Sequence, residues 1–268
     1  MDTRSGPIPL ASSAPARSAD TRRKMKENLH IFYCPDAKNA QEGQVVFLDE
    51  EEAEHCSRVL RLKTSDEITL IDGFGAMYTA QITECHKKNV SVKIVEKNEN
   101  AFCRNYFNHV AIAPTKNMDR FEWFIEKAVE FGIDEITPLL CAHSERKVIK
   151  DERLSKIVIS AVKQSGNTIL PILNPMTSFS DFVENVDADK KLIAHCESGM
   201  ERVFFGDCVE KNQKIVTLIG PEGDFSPEEI ILAQKHGFQA VTLGNTRLRT
   251  ETAGVSVCAF LSCINNLK

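Results

Sequence analysis

The stretch LIGPEGDFSPEEI, Leu218 to Ile230, passes from apolar residues through Gly-Pro-Glu-Gly into an evident helix start. Ser226, Pro227 and Glu229 supply an N-cap, an N1 proline and a reciprocal acid, so the spacing predicts a helix beginning at Ser226. Strand, turn and helix in this order form the repeating unit of a parallel sheet with helices packed on its faces. A phosphate-binding turn would set its glycines directly on the helix N-terminus and add a lysine. Here the last glycine, Gly223, comes before the N-cap, and Glu222 and Asp224 put two acids where a phosphate would lie. Neither a GxxxxGK[ST] nor a GxGxxG pattern occurs in the chain. On its own residues the turn stays open to two readings, an ordinary connection or one wall of a ligand pocket.

Working outward, the same alternation continues on both sides. HVAIAP (109–114) precedes MDRFEWFIEKAVEFG (118–132), where Phe121, Phe124, Ile125, Ala128 and Phe131 recur at helical spacing. EITPLL (135–140) reads as a strand. DERLSKIVISAVKQSG (151–166) reads as an amphipathic helix through Leu154, Ile157, Val158, Ala161 and Val162 that stops at Gly166. KLIAH, KIVTLIG, AVTLG and the apolar ETAGVSVCAFLSCI (251–264) complete an α/β pattern with a mainly parallel sheet. Ligands on such sheets sit beyond the carboxyl ends of the strands. Three strand-end loops, 192–199, 218–226 and 243–254, are therefore expected to gather into one site. In the third, Arg247, Arg249, Thr250, Glu251 and Thr252 crowd against the apolar last helix, and Arg249 with Glu251 reads as a structural salt bridge or a functional pair.

Upstream, HIFYC, QVVFL, EITLI, MYTAQITE and VSVKIVE read as short strands separated by turn residues. One helix interrupts them, EEEAEHCSRVLR (50–61), with Asp49 and Glu52 spaced as a capping box and Ala53, Cys56 and Leu60 on its inner side. Several strands with little helix suggest a small β-barrel over 25–98, ending in a polar linker at 97–105. Residues 1–24 are poor in large apolar side chains and read as a disordered leader or tag. Without its five basic and two acidic residues, the body holds 28 basic against 36 acidic residues. An acidic body argues against coating nucleic acid by bulk charge, so any such substrate needs local basic patches. Nine cysteines are scattered singly without a CxxC pair, which suits a reducing cytoplasm and argues against a metal site. No apolar run is long enough to span a membrane.

Together, LIGPEGDFSPEEI and LGNTRLRTETAGVSV (243–257) resemble the ribosomal RNA small subunit methyltransferase E family. Three further segments agree in order. HCSRVLRLKTSDEI (55–68) resembles the family's amino-terminal RNA-binding segment, FIEKAVEFGI (124–133) its first domain helix, and 144–166 its central basic segment. The likeness runs over roughly 29–268. Two departures stand out. The family's Glu-Gln-Ser/Cys followed by arginine is replaced by Lys163-Gln164-Ser165-Gly166-Asn167, and Asp224 stands where a second glycine is common.

The resemblance implies a PUA-like RNA-binding β-barrel (25–98) followed by a SPOUT-type parallel sheet with a deep trefoil knot (99–268). It implies S-adenosylmethionine as cofactor, held by Ile193, Ala194, His195, Leu218, Ile219, Gly220, Pro221, Glu222, Gly223, Leu243, Gly244, Leu248 and Thr252. A cationic sulfonium without phosphate would tolerate Glu222, which either faces the cofactor or braces the loop by accepting backbone N–H groups. The implied reaction is methylation of N3 of a uridine in 16S ribosomal RNA, an imide nitrogen that must lose its proton. Arg249 is the expected cation for the developing uracil anion, Glu251 its orienting partner or the base, and His195 a second candidate base. Arg58, Arg61, Lys63, Lys116, Arg120, Arg146 and Lys147, with Lys150, are expected to contact RNA phosphates. A cytoplasmic homodimer acting on the ribosomal RNA or small subunit, with the site at the subunit interface and no metal or membrane, completes the expectation. The competing readings are a ribose 2′-O-methyltransferase, whose Asn-x-Gly-Ala segment is absent, and a non-catalytic RNA-binding protein.

Overall fold

Alternating apolar residues in the amino-terminal part build a five-stranded sheet. The computed structural model of the protein describes residues 30–99, 104–197 and 199–266, so the expected leader and part of the expected linker lie outside the described residues. Strands β1 (Ile31–Tyr33), β2 (Val45–Phe47), β3 (Glu67–Ile71), β4 (Met77–His86) and β5 (Asn89–Asn98) follow the order β1-β3-β4-β5-β2. β1 pairs with β3 in parallel and the other pairings are antiparallel. Tyr78, Ala80 and Ile82 of β4, two residues apart, enter one core with Phe32, Val46 and Val92.

Helix α1 (Glu50–Glu54) fills the expected position, but its last turn over His55–Val59 widens to a π-helix. Asp49 caps it by accepting from the Glu52 N–H at 2.8 Å. The expected reciprocal half of the capping box is absent. Glu52 is buried, and its carboxylate reaches Lys163 at 2.5 Å instead.

The second sheet contains β6 (Phe107–Ile112), β7 (Glu135–Leu140), β8 (Ile172–Leu173), β9 (Thr177–Ser178), β10 (Lys190–Ala194), β11 (Val203–Phe204), β12 (Lys214–Ile219) and β13 (Gln239–Thr242). Its order is β11-β13-β10-β12-β6-β7-β8, with β9 also on β7, and its pairings are parallel. Central strands β6 and β12 are buried on both faces, as continuous apolar runs require. Helices α2 (Met118–Glu130), α3 (Asp151–Ser165) and α6 (Thr250–Asn266) pack on one face through Phe121, Phe124, Leu154 and Val257. The other face is covered by α4 (Phe179–Asn185) and α5 (Pro227–Lys235).

Ends follow the local signals with one exception. α5 starts at Ser226 with both halves of its capping box, and α3 stops at left-handed Gly166. α2 closes one residue early, so Phe131 becomes its C-cap and is 38% exposed rather than inward, while Val129 and Ile133 take the inner places. The two-residue strands and α4 gave too short a pattern to be read from sequence.

The two sheets share an interface. Gly75 N–H donates to Thr168 O at 3.0 Å and Leu170 N–H to Gly73 O at 2.9 Å. Ile71 joins the core of the second sheet, and Lys156 pairs with Glu51 at 2.7 Å beside the Glu52–Lys163 contact. Burial pushes the Glu52 carboxyl up and Lys163 offsets it. Lys163 therefore matches a buried acid, and Asn167 donates to Val129 O at 2.7 Å, so both ends of the departing 163–167 run are part of the packing.

Lys163→Met strands that carboxylate and is expected to cost about 3 kcal/mol, the scale for removing one partner of a buried pair. A raised carboxyl stabilises most below its unfolded value and loses that contribution as pH rises through the folded one. The melting-temperature gap to the parent protein should therefore narrow between pH 7 and pH 5, and a pH-independent gap would refute this role.

The eight described cysteines are free, with Cys34, Cys56, Cys141 and Cys258 buried. Among the described residues no helix is long and apolar enough to cross a membrane, and no cluster of three metal-ligating side chains occurs.

Candidate functional site

The sheet order makes β13, β10 and β12 immediate neighbours, with Ala194 level with both Ile219 and Val241. Their carboxyl ends therefore open side by side, and the loops that follow enclose a cleft of about 950 Å³. Of the expected binding residues, Ala194, His195, Ile219, Gly220, Pro221, Glu222, Leu243, Gly244 and Leu248 line it, together with Arg249. Apolar side chains of Ile219, Val241, Leu243, Leu248 and Met200 form part of its wall.

Four expected binding residues are placed elsewhere. Ile193 and Leu218 each precede a lining residue on their strands, so the two-residue period turns their side chains into the core on the opposite face. Gly223 lies against His143, whose Cβ would be 3.1 Å from an added methyl group. Thr252 sits within α6, where its carbonyl accepts from Ser256 Oγ at 2.8 Å. Gly220 is crowded by Phe225 of its own turn, 3.1 Å from an added Cβ to the Phe225 nitrogen, whereas Gly244 adopts φ 142° with open space around it.

Both acids of the Gly-Pro-Glu-Gly turn are committed to backbone. Glu222 Oε1 accepts from the Lys116 N–H at 2.9 Å, the bracing arrangement, with its partner in the loop after β6. Asp224 Oδ2 accepts from Cys196 N–H at 2.7 Å and Oδ1 from Phe225 N–H at 2.8 Å, tying the first loop to the second. Asp224 has φ 65°, which explains why glycine suits this position and how an aspartate fills it. Of the two roles open for Glu222, the bracing contact is formed, while both acids also line the cleft.

Four arginines line the cleft instead: Arg120, Arg202, Arg247 and Arg249. Arg202 donates to the His195 carbonyl at 2.6 Å. Arg247 and Arg249 are exposed, and their side chains have no hydrogen-bond or ion-pair partner among the described residues. The expected Arg249–Glu251 pair is not formed. Glu251 is 7% exposed and faces Arg120 Nε at 3.9 Å, which brings into the cleft an arginine expected only at RNA phosphates. Thr250 Oγ1 donates to Gly220 O at 3.0 Å and latches the third loop to the second.

His195 is buried, and burial lowers its pKa despite Asp224 nearby. Its Nδ1 accepts from Glu197 N–H at 3.2 Å, so the proton of the neutral ring sits on Nε2. Its Nδ1 lone pair is thus engaged by the loop's own backbone, and Nε2 is buried without a hydrogen-bond partner among the described residues.

The remaining basic residues spread over the surface. Arg58 pairs with Glu54 at 3.2 Å, while Arg61, Lys63 and Lys147 are exposed. Arg146 donates to the Lys116 carbonyl at 2.6 Å, and Lys116 Nζ pairs with Glu145 at 2.7 Å. Sequence reading placed Cys196 in an expected loop without giving it a role, and missed Met200 and Arg202 just beyond the bounds of that loop. The signal for Asp224 was present in the aspartate replacing a glycine.

Residues 105–262 match a family model described as an RNA methyltransferase domain, and residues 48–95 match one described as an RNA methyltransferase PUA domain. A ribosomal RNA small subunit methyltransferase E of Buchnera aphidicola is 30% identical over 80% of this chain and 85% of the relative. Among solved structures, a Porphyromonas gingivalis protein described as a "probable rRNA-methyltransferase" is 38% identical. It covers 88% of this chain and 98% of its own, with a TM-score of 0.81. The ribosomal RNA small subunit methyltransferase E of Neisseria gonorrhoeae, solved bound to S-adenosyl methionine, is 30% identical with a TM-score of 0.78. It covers 89% of this chain and 98% of its own.

Proposed function

The chain belongs to the ribosomal RNA small subunit methyltransferase E family, and on that premise we propose that it methylates N3 of a uridine in 16S ribosomal RNA, with S-adenosylmethionine as donor. The observation carrying this reading is the convergence of three strand-end loops on one cleft with apolar walls and unpaired arginines. Its volume of about 950 Å³ lies within the ~300–1,000 Å³ typical of small-molecule sites. Ile219, Leu243 and Leu248 are suited to the adenosine, and the backbone at Gly220 and Gly244 to its polar edge. When bound, the cofactor supplies an electrophilic methyl group.

The chain's own residues hold the acceptor and its charge. Arg249, exposed and unpaired, stabilises the negative charge left on uracil when N3 loses its proton. Glu251 orients Arg120 rather than Arg249. With His195 protonated at Nε2 and Glu251 buried, solvent at the open cleft takes the imide proton. Arg61, Lys63 and Lys147 supply phosphate contacts on an otherwise acidic body. The same reading makes the protein a cytoplasmic homodimer with its site at the subunit interface. Its amino-terminal sheet closes as a barrel and its last helix threads a knot.

Incubation with unmethylated 16S ribosomal RNA, followed by mass spectrometric mapping, is expected to place one methyl group on a uracil base. Methyl on a ribose oxygen would select the 2′-O reading. No detectable binding of millimolar S-adenosylmethionine by calorimetry would remove the enzymatic one.

A further inference from the structure

A ring of polar contacts closes around one side of the cleft. Glu222 holds the Lys116 N–H, and Lys116 leads into Asn117, the N-cap of α2, whose side chain accepts from Asp119 N–H at 3.0 Å. The first turn of α2 presents Arg120 to the cleft, facing Glu251 in the first turn of α6. Thr250, beside Glu251, returns to the Gly220 carbonyl, two residues from Glu222. Arg146 donates to the Lys116 carbonyl. Both backbone polar groups of Lys116 are thereby fixed, one by the glycine turn and one by the basic segment.

We infer that Glu222 is a positioning residue that couples ligand occupation of the Gly220–Asp224 turn to the placement of Arg120, so that cofactor and RNA bind with positive cooperativity. This rests on the function proposed above. A charge-assisted bond from a carboxylate to a backbone N–H is short and directional, so the turn cannot shift without moving the start of α2. A ligand that orders the turn has then already ordered the arginine that the second ligand needs. Linkage makes the effect reciprocal, with RNA tightening the cofactor by the same factor.

The measurement is the dissociation constant of transcribed 16S ribosomal RNA, with and without saturating sinefungin, the amine analogue that cannot transfer a methyl group. In the parent protein the analogue should tighten RNA binding at least about fivefold. Glu222→Ala should bring that ratio to within about twofold of unity, while Glu222→Gln, which keeps an oxygen acceptor for Lys116, should retain most of it. Arg120→Ala, which leaves the buried Glu251 without its partner and is therefore first checked for a parental melting transition, should also abolish the ratio. A merely structural role for Glu222 would weaken each ligand and leave the ratio unchanged. A parental ratio near unity, or an unchanged ratio in either alanine variant, would overturn the coupling. Failure of the parent to bind sinefungin and S-adenosylmethionine at all would overturn the cofactor reading itself, which separates the two failures.

Discussion

Arg249→Ala is expected to lower kcat for methyl transfer by about 10²–10³-fold, the scale for losing one group that meets developing charge. Its affinity for S-adenosylmethionine should stay within about threefold of the parent protein, because an interaction made mainly in the transition state appears in kcat rather than in ground-state binding. The physical basis is the freedom of the side chain. The Arg249 side chain is exposed at the cleft and has no ion-pair partner among the described residues, so its charge is available to the acceptor. Arg249→Lys keeps a charge but loses the planar fork, and an intermediate rate is expected. Single-turnover transfer to 16S ribosomal RNA measures the rate and calorimetry measures the affinity. A parental rate in Arg249→Ala would end its assignment.

Gly254→Val is expected to destabilise the protein by about 3 kcal/mol, the upper end for overpacking a filled core. A Cβ at this position would lie 2.6 Å from Phe124 Cε2 and 2.9 Å from Ile112 Cδ1. Both neighbours are fully buried, so neither ring nor methyl can swing into solvent. Gly254→Ala should cost less, since alanine recovers up to about 1 kcal/mol of helix propensity. For a chain of this size, 3 kcal/mol corresponds to a fall in melting temperature of roughly 6–12 °C. Because α6 also carries Thr250 and Glu251, the valine variant should lose cofactor affinity along with stability. Calorimetric melting with and without S-adenosylmethionine checks both, and a melting temperature within about 1 °C of the parent would contradict the packing argument.

The parallel sheet was legible because its signals are local and repeated. Ser226, Pro227 and Glu229 announce a helix start, Gly166 announces a stop, and apolar runs such as KIVTLI announce strands buried on both faces. The gathering of three loops followed from the rule that strand ends share an edge. What resisted reading was the choice of partner. Glu51 and Glu52, Lys156 and Lys163 lie far apart in sequence, so nothing local announces that they meet between the sheets. Glu251 is near Arg249 in sequence but faces Arg120 in space, because the first turn of α6 directs its carboxylate inward. Strand register decided Ile193 and Leu218 in the same way. A one-residue step separates a pocket wall from a core residue, and only the pairing of β10 with β12 fixes which is which.

The interface between the two sheets bears on how a large RNA would be selected. Backbone bonds at Gly73 and Gly75, a shared core at Ile71 and ion pairs at Glu51 and Glu52 tie the amino-terminal sheet to the sheet that carries the cleft. Such a molecule acts as a calliper of fixed span. It pays little orientational entropy to set its own jaws, and the RNA must bring a matching curvature to it. Selection would then operate on the folded geometry of the substrate.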